Sequence, residues 1–145
     1  MLVSQIVRNK AGSGGVVTLP RGASLEQAAQ LLSEKRIGAV VISDDGVTVA
    51  GILSERDIVR ELGKRGAACM ADKVDSVMTR DVFGCAPEDD ADVVLQTMTA
   101  KRFRHLPVME DGRMIALISI GDVVAGRLSE LQLEKDALTG MIAGY

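Results

Sequence analysis

The chain has 145 residues, 47% of them hydrophobic and 26% charged, with a formal net charge of −3. That length fits one compact domain or two small repeats sharing a core, and that hydrophobicity with so little net charge excludes a disordered chain. The acidic balance, with only Phe83, Phe103 and Tyr145 as aromatic residues, argues against a general nucleic-acid binder, which wants basic surface and stacking side chains.

No apolar run approaches the ~20 residues of a membrane-crossing helix. Residues 1–6 have no basic segment followed by a long apolar one, so no signal peptide is expected. Cys69 and Cys85 are too few for a disulfide framework or a zinc site, and a reducing cytoplasm is the expected compartment.

Residues 9–15 read as a flexible loop. Gly12-Ser13-Gly14-Gly15 lacks the Lys-Ser/Thr and the preceding strand of a phosphate loop. Residues 16–20 are extended, held out of helix by Pro20. Residues 24–37 form an amphipathic helix: Leu25, Ala28, Ala29 and Leu32 share one face, and Ser24 with Gln27 makes a capping box. A short strand follows at 39–42, then Asp45-Gly46 as a hairpin signal, then a returning strand at 47–53. Ser54-Glu55-Arg56-Asp57 opens the next helix, with Ile58, Val59 and Leu62 as its buried side.

The same order then recurs about 66 residues on. Residues 82–87 are extended, with Pro87 in the place of Pro20. Asp90 replaces Ser24 as the cap of a helix whose apolar face is Ala91, Val94, Leu95 and Met98. Strands at 105–109 and 113–118 flank Asp111-Gly112, and Ser119-Ile120-Gly121-Asp122 opens a helix over 122–143 with Val123, Val124 and Leu128 buried. Pro107 lacks a backbone donor, so its strand is expected at an edge or that residue near a strand start. Leu131, Leu138 and Ile142 continue an apolar stripe, interrupted by Lys135, that needs a further surface such as another subunit. The organisation is α+β: a β-α-β-β-α repeat over 1–62, a linker at 63–73, a second repeat over 74–128 and a helical extension at 129–145.

Ser-x-x-Asp ahead of an apolar run is first of all a helix cap. Its repetition, within repeated surroundings, resembles a tandem pair of cystathionine β-synthase (CBS) domains, a Bateman module. The phrases Phe103-Arg104-His105-Leu106-Pro107-Val108 and Ile118-Ser119-Ile120-Gly121-Asp122 look like small stand-alone bacterial members. The resemblance implies two repeats packed with pseudo-twofold symmetry, clefts between them that bind AMP, ADP, ATP, NAD(H) or S-adenosylmethionine, frequent pairing into a homodimer, and a regulatory role.

On that resemblance Asp57 and Asp122 accept from ribose hydroxyls, two acceptor oxygens meeting two donors. Ser54 and Ser119 lie at helix N-termini suited to ribose or phosphate. One cleft would join Ser119 and Asp122 with Thr18, Ile37, Gly38 and Ala39. The other would join Ser54, Arg56 and Asp57 with Gly84, Cys85, Phe103, Arg104 and His105. The backbone at Ala39 or His105 would read the adenine edge; Phe103 is either a stacking platform or core. Arg104 and His105, beside Arg102, favour a phosphate-bearing ligand such as AMP, ATP or NAD(H). Gly121 stands where the first repeat has Arg56, and Ala116 where it has Gly51, so the clefts are expected to differ, with Asp57 on the phosphate-preferring side.

An adenosine-ligand sensor acting through a dimer or an unidentified regulated protein is therefore expected. The alternative is an interaction module with vestigial pockets. No nucleophile with its base, metal-ligand cluster or catalytic carboxylate pair is apparent, so no catalysis, nucleic acid or membrane partner is expected.

Overall fold

The computed structural model describes residues 1–10 and 15–142. Most of the loop expected at 9–15, and the last residues of the helical extension, lie outside the described residues. The elements are α1 (Val3–Lys10), β1 (Thr18–Leu19), α2 (Leu25–Lys35), β2 (Ala39–Ile42), β3 (Gly51–Ser54), α3 (Glu55–Arg65), α4 (Ala91–Lys101), β4 (His105–Glu110), β5 (Arg113–Ser119) and α5 (Ile120–Ile142). Short 3₁₀ turns span Ala67–Ala71 and Val74–Ser76. Two compact units divide the chain: residues 15–83 with 111–115, and residues 1–14 with 84–110 and 116–145.

In the first unit β1, β2 and β3 form one sheet, β1 parallel and β3 antiparallel to β2. The expected capping box on α2 is present: Ser24 Oγ accepts from Gln27 N–H at 3.1 Å and Gln27 Oε1 accepts from Ser24 N–H at 2.9 Å. Leu25, Ala28 and Leu32 of α2 pack with Val40, Ile42, Leu53 and Ile58. Cys69 and Val74, from the stretch after α3, join the same core, so the expected linker is partly built into the unit.

The returning strand is shorter than the sequence suggests, covering only Gly51–Ser54. The cause is Asp45. Its carboxylate accepts from Val47 N–H (2.9 Å), Thr48 N–H (2.7 Å), Thr48 Oγ1 (2.7 Å) and Ser43 Oγ (3.0 Å), folding residues 43–48 into a local loop instead of a tight hairpin. Those hydrogen bonds, led by that of the Thr48 amide, hold the exposed Asp45 carboxyl well below the usual range. Beyond the loop, Ile52 exchanges backbone bonds with Thr79 at 3.0 and 2.9 Å.

The second repeat follows the plan with instructive differences. Asp111 (φ 52°) and Gly112 (φ 75°) make the expected tight hairpin between β4 and β5. Residues 82–87 touch β4 through one bridge, Cys85 to Val108, where β1 makes a two-residue ladder with β2. Pro107 explains this. Val41 N–H donates to Val17 O at 3.2 Å, and the matching residue in β4 is Pro107, which has no N–H to give. The two bonds that need no proline donor survive, Cys85 N–H to Pro107 O (3.0 Å) and Met109 N–H to Cys85 O (2.8 Å). Of the residues expected to be buried on α3 and α5, Ile58 and Val123 reach the cores, whereas Val59, Leu62, Val124 and Leu128 are exposed.

Helix α1 is the element sequence reading missed, and it packs in the second unit. Val3 and Ile6 are buried with Val94, Met98 and Val108. Val3 N–H donates to Asp89 O at 2.9 Å and Ala91 N–H to Met1 O at 2.9 Å. The first unit has the same arrangement: Val74 N–H donates to Ala23 O at 2.8 Å and Leu25 N–H to Asp72 O at 2.9 Å. Each main helix is thus docked by a segment that precedes the other repeat. α1 also meets α5 at Gly126, where a Cβ would stand 2.8 Å from Met1 Sδ and 3.3 Å from Ile6 Cγ1. The Met1 ammonium pairs with Glu130 at 2.9 Å, closing this contact.

A Cβ on Gly51 would lie 2.6 Å from Met78 Sδ and 2.8 Å from Thr79 O, which is why this strand carries Gly. Gly51→Val is expected to cost about 1–3 kcal/mol in denaturant unfolding, through displacement of the Thr79 backbone. Gly22→Ala, with open space around it, is the control expected to cost far less.

Candidate functional site

The two Ser-x-x-Asp segments are built alike, each inside its own unit. In the first, β3 ends at Ser54, whose extended backbone (φ −106°, ψ 162°) caps α3. Ser54 Oγ accepts from Asp57 N–H at 3.3 Å, and Asp57 Oδ2 accepts from Ser54 N–H at 2.9 Å and from Ser54 Oγ at 3.1 Å. Arg60, one turn on, donates to Asp57 Oδ1 at 3.3 Å. Asp57 is 6% exposed, one of two buried polar side chains in the described chain. The register pairs Ala39 with Ser54, and Glu55 N–H donates to Gly38 O at 2.9 Å. Gly38, Ala39, Ser54 and Asp57 are therefore assembled at one strand–helix junction. Thr18 is half-buried on the neighbouring β1, Ile37 packs partly buried against the core, and Arg56 is exposed.

In the second unit Ser119 N–H donates to Asp122 Oδ2 at 2.8 Å and Asp122 N–H to Ser119 Oγ at 3.0 Å. Ile120 N–H donates to Arg104 O at 2.8 Å, the counterpart of the Glu55–Gly38 bond. Arg104, His105, Ser119 and Asp122 thus form the matching junction. Arg104 is exposed, His105 half-buried, and Phe103 half-buried against the core. Gly84 is exposed beside Met109. Cys85 is turned into the core, and burial, with Asp89 adding to it, pushes its thiol up to about 11.

In both copies the Asp reaches back to the cap amide. The helix-cap reading of Ser-x-x-Asp holds in both copies, with both side chains forming the box. A carboxylate has about four lone-pair sites, so the box leaves acceptor capacity unspent.

The residue that sequence reading missed is Lys10, the last residue of α1. Its ammonium donates to Asp122 Oδ2 at 2.8 Å and to Leu117 O at 2.7 Å. Burial raises the Asp122 pKa, but the bonds from Lys10 and Ser119 together outweigh it and hold the carboxyl below its ordinary value. Each carboxylate therefore has a cation, Arg60 from its own helix for Asp57 and Lys10 from α1 for Asp122. This contrast stands beside the expected one of Arg56 against Gly121. Ala125 occupies the position matching Arg60, so α5 supplies no cation there itself. The only signal for Lys10 was the Val3, Ile6, Val7 spacing of a short amphipathic helix ending in a basic residue.

Among the described residues no group of three or more His, Cys, Asp or Glu is placed to hold a metal, and no helix is long and apolar enough to cross a membrane.

The chain is 30% identical to the mitochondrial CBS domain-containing protein CBSX3 of Arabidopsis thaliana, over 98% of this chain and 72% of that protein. It spans only 21% of another Arabidopsis relative, CBSCBSPB3. The crystal structure of a CBS-domain containing protein from Agrobacterium tumefaciens is similar at 41% identity and a TM-score of 0.82, covering 88% of this chain and 99% of that one. The fold is also that of a CBS domain protein from Pyrobaculum aerophilum complexed with AMP, at 22% identity and a TM-score of 0.77, covering 93% and 99% of the two chains. The CBS domain family matches residues 4–64 and 74–128, which together hold both capping boxes, both strand starts and α1 from Ser4 onward. The chain belongs to the CBS-domain family, as a tandem pair of CBS repeats.

Proposed function

We propose that this chain is a regulatory module that binds an adenosine ligand at its two strand–helix junctions and is not itself a catalyst. The observation that carries the reading is the duplicated carboxylate: Asp57 and Asp122, each oriented by its own cap amide and each beside a cation. A vicinal diol offers two donors to such a group, and a preordered carboxylate binds it without losing rotamer freedom at that moment. The AMP held by the Pyrobaculum protein on this fold supports the ligand class. Thr18, Ile37, Gly38 and Ala39, and Gly84, Phe103, Arg104 and His105, are the residues assigned to the adenine and phosphate ends. Cys85 is assigned a backbone role only, since its thiol is buried and hard to ionise. The ligand is AMP, ATP or NAD(H), and the compartment is a reducing cytoplasm, in keeping with two free, buried cysteines.

The signal is passed through a homodimer. Val124, Leu128, Leu131, Lys135, Leu138 and Ile142 recur at alternating steps of four and three along α5, the a/d spacing of a paired helix. Its apolar members are all at least 41% exposed. A parallel partner would set two Lys135 ammoniums at one level of the seam. An antiparallel second copy instead sets Lys135 against Leu131, with the acidic Glu134 nearby, and matches Leu128 with Leu138. A ligand alters this assembly only by binding one of its arrangements better than another.

Thermal unfolding with AMP, ATP, NAD and S-adenosylmethionine tests the ligand reading. A ligand at about 100 times its dissociation constant adds about 2.7 kcal/mol of stability. A clear rise in melting temperature is expected with at least one phosphate-bearing member; no rise with any of them supports an interaction module with empty junctions instead. For the assembly, sedimentation is expected to give a dimer, and Leu131→Glu with Leu138→Glu a folded monomer. A monomeric parent protein contradicts the seam.

A further inference from the structure

The two carboxylates keep different acceptors open. At Asp57 the cap fills Oδ2, which accepts from the Ser54 amide at 2.9 Å and the Ser54 hydroxyl at 3.1 Å, and the other oxygen, Oδ1, accepts from Arg60 at 3.3 Å. At Asp122 it is again Oδ2 that is filled, by the Ser119 amide and the Lys10 ammonium at 2.8 Å each, with the Ser119 hydroxyl beside the carboxyl. Among the described residues no donor bonds Asp122 Oδ1. The contrast comes from the residue one turn after each aspartate, Arg60 in α3 and Ala125 in α5. Burial runs the same way: the Asp57 side chain is 8% exposed and that of Asp122 27%. A ribose that comes to Asp122 meets an oxygen with both lone pairs open, so the cap amide and Lys10 stay where they are. A ribose that comes to Asp57 must share Oδ1 with Arg60 or displace it. Displacement has a small cost, because Arg60 is 58% exposed and water takes over its charge. The less exposed carboxylate thus carries an internal competitor that the other lacks on the matching oxygen.

We propose that Arg60 is a positioning residue that ranks the two junctions: it holds the one oxygen of Asp57 that the cap leaves open, so that a ribose diol fills the Asp122 junction first and the Asp57 junction only in competition with Arg60. The inference rests on the ribose reading of both carboxylates and adds to it which of them fills first and the residue that decides it.

Calorimetric titration of the full chain with adenosine, which brings the diol without a phosphate that Arg60 could also meet, tests this. Asp122→Asn and Asp57→Asn isolate the Asp57 and Asp122 junctions in turn, because asparagine keeps a carbonyl for the cap amide and loses the second acceptor. Adenosine is expected to bind more tightly to the Asp57→Asn protein than to the Asp122→Asn protein. Adding Arg60→Ala to Asp122→Asn is expected to strengthen binding by about threefold to fivefold, the scale of one exposed ion pair. Adding it to Asp57→Asn is expected to change nothing, which separates competition at one junction from a general effect on folding. The reciprocal change, Ala125→Arg at an exposed position of the Asp57→Asn protein, is expected to weaken binding by a similar factor. Affinity at the Asp57 junction that stays the same or falls on Arg60→Ala overturns the role of Arg60 and leaves the ribose reading intact. No binding of adenosine to any of these proteins overturns both.

Discussion

The carboxylate that turns back onto its own helix cap is the contact on which both strand–helix junctions of this molecule depend. At Ser54 and again at Ser119 a strand runs directly into a helix, with no loop to absorb the change of direction. The first amides of such a helix lack intrahelical partners. The serine hydroxyl takes one and the aspartate three residues later takes the cap amide, a reciprocal closure worth about 1 kcal/mol as a cap. Helix stability therefore demands a hydroxyl and a negative charge at this corner before any ligand is considered. The proposed function reuses what the fold already requires: an ordered carboxylate at the end of a strand, at the positive end of a helix.

The second constraint is the docking of each repeat by a segment from before the other. Asp72 and Val74 stitch onto Ala23 and Leu25 in one unit, and Met1 and Val3 stitch onto Asp89 and Ala91 in the other. The backbone bonds match, but the segments differ. The first is 3₁₀ and turn; the second is the helix α1, long enough to carry Lys10 to Asp122. The asymmetry between the two junctions is therefore set by the docking segments. Arg60 is a partner on the same helix as its carboxylate, whereas Lys10 ties Asp122 to another element, so only the second pair links a junction to the packing of a helix elsewhere in its unit.

The repeat, the helix faces of α2 and α4, the Asp111-Gly112 hairpin and both capping boxes were legible in the sequence, because each rests on neighbours close in the chain. Asp45 was read as half of a hairpin signal, but its carboxylate gathers Val47, Thr48 and Ser43 and spends the returning strand on a loop, a competition that a dipeptide rule does not weigh. Val59, Leu62, Val124 and Leu128 share the helix period of Ile58 and Val123, yet they stay exposed where those two are buried, and periodicity cannot say how wide a face is covered. Lys10 was hidden for a different reason. Its partner Asp122 lies at the far end of the chain, and no local pattern announces a contact of that separation.

The central claim is that Asp57 and Asp122 exist to hold a ribose diol. Comparing AMP with its 2′,3′-dideoxy analogue by calorimetry tests it most directly, since the analogue keeps adenine and phosphate and lacks only the two donors. Affinity is expected to fall by at least ~100-fold, within the range that sites hydrogen-bonding a substrate hydroxyl achieve. Equal affinity for AMP and the dideoxy analogue would show that the carboxylates cap their helices and nothing more.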